Sequence, residues 1–262
     1  MLREEMPEIQ EIVEQAAEEA GKILLSYYGK LYKISKKENA GIVTEADKAA
    51  EEKIISLIKK HFPDHSVLAE ESGLSEKHSS YKWLIDPLDG TTNFSRQIPF
   101  FCVSIGVEKD KEMIAAAILD PIHKELFTAQ KGKGAFCNGK KISVSKVSQW
   151  DDALFITGFA YQKGMVVKQE LARLEPFLQK SHGIRRTGSA AWDLCQVACG
   201  HFDGFWEKHL KPWDVAAGML IIQEAGGKIT RYNGTHATVY DHEIVASNGL
   251  IHAQMIHALA VC

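Results

Sequence analysis

The densest chemistry in the chain lies in Trp83-Leu84-Ile85-Asp86-Pro87-Leu88-Asp89-Gly90-Thr91-Thr92-Asn93-Phe94. A hydrophobic run delivers two carboxylates three residues apart, split by a proline, and a Gly-Thr-Thr-Asn turn follows. Pro87 fixes the chain direction as it leaves a strand. Gly90 lets backbone come close to a ligand. A helix starting at Thr91 or Thr92 would aim free N–H groups at an anion beside the two aspartates. Alone, the segment reads more simply as a strand and an Asp-Gly turn. Three further segments shift that balance. Ala69-Glu70-Glu71-Ser72 sets two acids at the end of a short strand. Lys211-Pro212-Trp213-Asp214-Val215-Ala216-Ala217-Gly218 opens a small-residue helix with an aspartate, which the helix dipole favours there. Gly41-Ile42-Val43-Thr44-Glu45-Ala46-Asp47 offers Asp47, which also fits a capping box with Thr44.

These groups need elements to hold them. Ile9, Ile12, Val13, Ala16, Ala17, Ala20, Ile23 and Leu24 recur with helical spacing over residues 6–28, and Gly29 is the stop. A second helix is predicted from Glu45 to Lys60, with Pro63 beyond it. Strand-like runs follow at Ser66–Ala69, Trp83–Ile85, Phe101–Val107, Ile114–Leu119 and Leu126–Ala129, and Asn138-Gly139 reads as a hairpin turn. From about residue 150 the pattern alternates. A strand at Ala153–Thr157 precedes a helix near 164–180, a short strand near 184–187 and a helix near 190–199. A strand at Gly204–Glu207 precedes a helix near 213–225, strands at Gly227–Thr230 and Glu243–Ala246, and a last helix. The first half, 1–148, thus reads as α+β with an antiparallel sheet, and the second, 149–262, as α/β. No Pro/Gly/Ser-rich linker separates them.

The bulk numbers bound the function. The chain has 262 residues, 45% hydrophobic and 25% charged, ordinary for a globular protein. A net charge of −3 supplies no global field for nucleic acid, so an anionic substrate needs local counter-charge. Met1 to Pro7 lacks the pattern of a signal peptide, and no run is long and apolar enough for a membrane span. Five cysteines, at 102, 137, 195, 199 and 262, form no C-x-x-C pair. They read as packing residues of a reduced, cytoplasmic protein. The sequence holds no H-E-x-x-H, no G-x-S-x-G and no phosphate-binding P-loop, and Gly132-Lys133-Gly134 is only a hairpin approach. Trp192, Trp206 and Trp213 read as core or pocket wall.

Taken together and in order, the segments resemble the inositol monophosphatase family. The match covers W-x-I-D-P-[IL]-D-G-T-[TK]-N-[FY] from Trp83, W-D-x-[AG]-A-G from Trp213, V-T-x-x-D at 43–47 and R-x-x-G-[ST]-A-A at 185–191. G-E-E-S departs only at its first position, Ala69. The resemblance implies a layered α/β/α/β/α sandwich of the inositol monophosphatase and fructose-1,6-bisphosphatase type. It implies Glu70, Asp86 and the Leu88 carbonyl as ligands of one Mg²⁺, and Asp86, Asp89 and Asp214 as ligands of a second. Glu70 and Asp47 match groups around a weaker third ion. Hard oxygen donors of this kind suit Mg²⁺, and so many carboxylates would repel one another without cations.

The implied reaction is phosphomonoester hydrolysis by metal-activated water, with Thr91 and Asp47 orienting or deprotonating that water. Catalytic roles thus fall on Thr91, Asp47 and Glu70. Substrate contacts fall on Asp89, Gly90, Thr91, Gly188, Ser189, Ala190 and Glu207. Arg185 and Arg186 are candidates for a second phosphate, an acidic neighbour or a subunit surface, and Lys36 for a loop that approaches the metals. The implied substrate is inositol monophosphate or a similar small polyol phosphate, with lithium sensitivity and a homodimer. The alternatives are fructose-1,6-bisphosphate, histidinol phosphate and 3′-phosphoadenosine 5′-phosphate on the same fold. A non-enzymatic alternative is a transcription-antitermination partner, as in some bacterial relatives.

Overall fold

The computed structural model describes residues 5–30, 33–36, 42–159 and 164–260, and Gly41 and Cys262 lie outside the described residues. Helix α1 (Glu5–Tyr27) buries the expected apolar stripe. Gly29, two residues beyond it, takes a φ of 76°, the left-handed conformation that ends helices cheaply. A ribbon of β1 (Ile34–Lys36) and antiparallel β2 (Ile42–Thr44) follows. At three residues each, these strands show no alternation to read. Helix α2 (Glu45–His61) is capped as the sequence predicts. The Thr44 hydroxyl accepts the Ala46 N–H at 3.1 Å, and Asp47 accepts the Thr44 N–H at 2.9 Å.

The central chain builds β3 (Ser66–Ala69), β4 (Gly73–Ser75), β5 (Tyr81–Asp89), the short helix α3 (Thr91–Ser95), β6 (Cys102–Lys109), β7 (Glu112–Asp120), β8 (Glu125–Gln130), β9 (Gly134–Cys137) and β10 (Lys140–Lys141). Asn138 and Gly139 both take positive φ in the β9–β10 hairpin, as their types suggest. The strands form one eight-stranded sheet in the order β10-β9-β8-β7-β6-β5-β3-β4. The expectation of an antiparallel sheet needs one correction: β3 and β5 run parallel. The β4 segment returns from β3 on the outer side, so β5 enters beside β3 in the same direction.

A second sheet of five strands has the order β12-β11-β13-β15-β14. Its strands are β11 (Leu154–Thr157), β12 (Gly183–Arg185), β13 (Gly204–Lys208), β14 (Lys228–Thr230) and β15 (Glu243–Ser247). They alternate with α4 (Met165–Lys180), α5 (Ala190–Ala198), α6 (Pro212–Glu224) and α7 (His252–Ala260). Helices α1 and α2 cover one face of the first sheet, and α5 and α6 fill the space between the sheets. Helices α4 and α7 cover the far face of the second sheet, which completes the five layers α/β/α/β/α.

Both faces of the first sheet are buried, so β5 is apolar without alternation: Trp83 and Ile85 face the α1/α2 core and Leu84 the middle core. The middle core joins residues from both sides of position 148, such as Ile118 and Ile222. Helix α6 is buried on nearly every side from Val215 to Ile222. Its small residues permit that approach: a Cβ on Gly218 would fall 2.5 Å from Leu194 Cδ1. No described helix is long and apolar enough to cross a membrane.

Candidate active site

Parallel pairing of β3 and β5 brings two acids side by side. Ala69 is in register with Ile85, and the Glu70 N–H continues the ladder to the Ile85 carbonyl at 3.1 Å. Glu70 and Asp86 therefore come side by side where β3 ends against β5, close enough for Glu70 to raise the Asp86 carboxyl. Beyond Asp86 the register against β6 slips: Asp86 faces Ser104, Asp89 faces Cys102, and two residues oppose one. Pro87 has no N–H to give, which suits a bulge. The bulge turns the Leu88 N–H back to Asp86 Oδ1 at 3.0 Å. Gly90 then takes a φ of 94°, and a Cβ there would lie 2.8 Å from the Phe100 carbonyl, so backbone conformation and space both require glycine. Helix α3 does start at Thr91, but it runs for only five residues.

Asp214 comes from the other half, on the first turn of α6, where its Oδ2 accepts the Lys211 N–H at 2.7 Å. Glu70, Asp86, Leu88, Asp89, Thr91 and Asp214 line one cavity of about 710 Å³. Burial raises the Asp86 carboxyl well above the usual range, and Glu70, Asp89 and Asp214 add to the rise. Burial and then Asp89 do the same to Asp214. Asp89 is pushed up to about 6 by burial, against hydrogen bonds from Ser189 and Ala191 that favour its charge. These acids are gathered against their own repulsion. Among the described residues, no three His, Cys, Asp or Glu groups close into a cage by themselves. Asp86, Asp89 and Asp214 each keep one oxygen on a protein donor. Carboxylates with a main-chain carbonyl form a hard oxygen set, which fits Mg²⁺ rather than a softer metal.

Thr91 lines the cavity, and Asp47, 44 residues away in the chain, lies buried behind it. The Thr91 hydroxyl lies 3.1 Å from Asp47 Oδ1 and 3.0 Å from the Leu88 carbonyl. Burial pushes the Asp47 carboxyl up to about 6, although the Thr44 hydroxyl and N–H hold it down.

Another wall comes from the segment before α5 and from β13. Ser189 precedes α5, but its hydroxyl donates to Asp89 Oδ2 at 2.8 Å, and the Ala191 N–H donates to the same oxygen at 2.7 Å. Gly188, Ser189, Ala190 and Glu207 all line the cavity. Burial, with Asp214 and Asp89 adding, pushes Glu207 up to about 8. Asn93 ties this wall to α3: its amide donates to the Phe100 carbonyl at 2.7 Å and the Thr187 carbonyl at 2.9 Å.

The two arginines part company. Arg186 lines the cavity and only partly offsets the burial that raises the carboxyls of Asp193 and Glu207, whereas Arg185 donates to the Ile184 carbonyl at 3.1 Å. Lys36 ends β1 in register with Ile42. Asp193 has no place in the residue assignment made from sequence, yet it is buried, accepts the Thr187 hydroxyl and lines the cavity. Its position one turn into α5, four after Ser189, is the signal that could have found it. Trp206 is core and Trp213 is pocket wall. Cys102, Cys137, Cys195 and Cys199 are free thiols.

Residues 5–262 match the model of the inositol monophosphatase family. An inositol-1-monophosphatase of Synechocystis sp. is 42% identical over 252 residues, which cover 95% of this chain and 88% of that protein. The Nus factor SuhB of Pasteurella multocida is 38% identical over 251 residues, 95% of this chain and 94% of that one. The solved structure of an inositol monophosphatase from Anabaena (Nostoc) sp. PCC 7120 superposes with a TM-score of 0.87 at 41% identity, covering 97% of this chain and 96% of the other. Motifs, layers and relatives agree that the chain belongs to the inositol monophosphatase family.

Proposed function

We propose that the chain is a Mg²⁺-dependent phosphomonoesterase acting on inositol monophosphate or a similar small polyol phosphate. The observation that carries the reading is the convergence of Glu70, Asp86, Asp89 and Asp214 on one cavity, which Thr91, backed by Asp47, and Glu207 also line. Residues 1–148 supply Asp47 and three of those four acids, and residues 149–262 supply Asp214 and the alcohol side. Glu70, Asp86, the Leu88 carbonyl, Asp89 and Asp214 are the groups that would hold Mg²⁺, which when bound neutralises phosphate charge and makes water more acidic.

The remaining work falls to the protein. Asp47 Oδ2 is engaged by Thr44, which leaves Oδ1 to accept the Thr91 hydroxyl proton. The Thr91 oxygen is then free to accept a hydrogen bond from the attacking water and orient it. Ser189 and the Ala191 N–H fix Asp89 from behind. Glu207 and the 188–190 segment face the leaving alcohol, where a carboxyl group can bond vicinal hydroxyls.

The test is phosphate release over inositol 1-phosphate, fructose-1,6-bisphosphate, histidinol phosphate and 3′-phosphoadenosine 5′-phosphate, with Mg²⁺ and with chelator. Activity is expected only with Mg²⁺ and highest on inositol 1-phosphate. Asp89→Asn is expected to lower it by about a thousandfold with the fold intact. Near-normal turnover of that variant would remove the metal assignment. A second reading, a partner role like that in the name Nus factor, is favoured by the Pasteurella multocida relative. It predicts protein capture from cell extract that survives Asp89→Asn.

A further inference from the structure

Glu207 is folded onto a backbone position that bears no side chain. Strands β11 and β13 are parallel neighbours with Thr157 opposite Trp206, so Gly158 and Glu207 are the next pair along. Paired residues of neighbouring strands send their side chains to the same face of a sheet. A Cβ on Gly158 would lie 2.0 Å from Glu207 Oε2, 2.2 Å from its Cδ and 2.3 Å from Oε1. The whole carboxyl group thus occupies the space of a missing side chain. Gly158 has no positive φ, so backbone conformation does not ask for glycine there and the space alone does. The Thr157 hydroxyl donates to the Trp206 carbonyl at 2.5 Å, which pins the two strands together at this level. Both Gly158 and Glu207 line the cavity.

We propose that Gly158 is a specificity-determining position. Bearing no side chain, it lets the Glu207 carboxyl lie back against β11 and leaves the alcohol side of the cavity wide enough for a ring-bearing polyol phosphate. The inference rests on the phosphatase reading and on Glu207 facing the leaving alcohol. A methyl group at 158 must push the carboxyl away by roughly 1.5 Å to reach ordinary contact distance. The pinned strands do not part, so the carboxyl moves into the cavity they share. The group that yields is the end of a flexible side chain, so the fold tolerates the change while the ring loses its room.

The experiment compares the full chain with Gly158→Ala, Glu207→Ala and the double variant, with Mg²⁺ present. Substrates are inositol 1-phosphate and para-nitrophenyl phosphate, and melting is followed alongside. Gly158→Ala is expected to melt close to the parent and to raise KM for inositol 1-phosphate about tenfold, with kcat/KM for the aryl phosphate within about threefold. In the Glu207→Ala background the same substitution should add nothing, because no carboxyl remains to be displaced. That background also removes the clash, so it remains informative if the single variant folds poorly. Equal losses on both substrates, or losses that multiply in the double variant, would overturn the proposal. If Glu207→Ala shifts the substrate preference and Gly158→Ala does not, this inference alone falls. If Glu207→Ala leaves the preference unchanged, or the parent hydrolyses neither substrate, the reading beneath it falls too.

Discussion

Asp47 is fully buried and serves three donors. Its Oδ2 accepts the Thr44 N–H at 2.9 Å and the Thr44 hydroxyl at 2.5 Å, and its Oδ1 accepts the Thr91 hydroxyl at 3.1 Å. A helix cap accounts for the first two bonds and not for the third. Asp47→Asn is therefore expected to cost about 1 kcal/mol of stability through the cap and to lower kcat by roughly a hundredfold through Thr91. Thr91→Ala should match that loss in kcat, and the double variant should be little worse than either single. Steady-state rates of the four proteins decide the matter, and losses that multiply fully would mean the two residues act separately. The cap was legible in the sequence because Thr44 and Asp47 are three apart. The bond to Thr91 was not, since it spans 44 positions and only the family resemblance pointed to it. Gly158 and Asp193 gave no motif of their own. The neighbour of Gly158 is fixed by the β11–β13 pairing, which local pattern cannot reveal.

Helix α2 does a second job one turn beyond Asp47. Glu51 is 4% exposed, and its carboxylate accepts the Glu71 N–H at 2.9 Å and the Ser72 N–H at 2.8 Å. The helix that reaches Thr91 thus also holds the turn that follows Glu70. Glu51→Gln turns an amide group toward an N–H donor, at a cost of about 1–3 kcal/mol. We expect it to raise the Mg²⁺ concentration needed for half-maximal activity while kcat at saturating Mg²⁺ stays close to the parent's. Calorimetric Mg²⁺ titration should show the same weakening without any substrate. An equal kcat deficit at every Mg²⁺ concentration would assign Glu51 a general structural role instead. Helices α1 and α2 were readable because burial on one face leaves its period in the sequence, whereas α6, enclosed on nearly every side, showed only as an unbroken apolar run after Asp214. The three-residue strands β1 and β4 carry no period, and the parallel sense of β3 against β5 is a tertiary choice.

Across the whole molecule, the acid group should leave its mark on stability. Burial pushes Glu207 up to about 8 from the ordinary 4.5 of a glutamate, and Asp86 and Asp214 shift in the same direction. A carboxyl raised in this way keeps its proton in the folded state after the unfolded chain has lost it. Its contribution to stability is complete below about pH 4.5 and is lost as the pH rises through about 8. With chelator present, the melting temperature should fall between about pH 5 and pH 9, and Glu207→Gln should flatten the slope, gaining most at the alkaline end. Circular dichroism melts across that range check it, and an unchanged slope would argue against a buried, protonated Glu207. Helix α6 carries Asp214 on its first turn and is enclosed by the middle core along most of its length. Amides so enclosed exchange with deuterated solvent only when the molecule opens as a whole. A cation held between Asp214 and the acids of β5 adds its binding free energy to that opening. If the proposed site holds Mg²⁺, deuterium uptake along α6 should slow with Mg²⁺ even at Leu220 and Ile221, far along the helix from the turn of Asp214, and the core helix becomes a clock that reads the occupancy of the site.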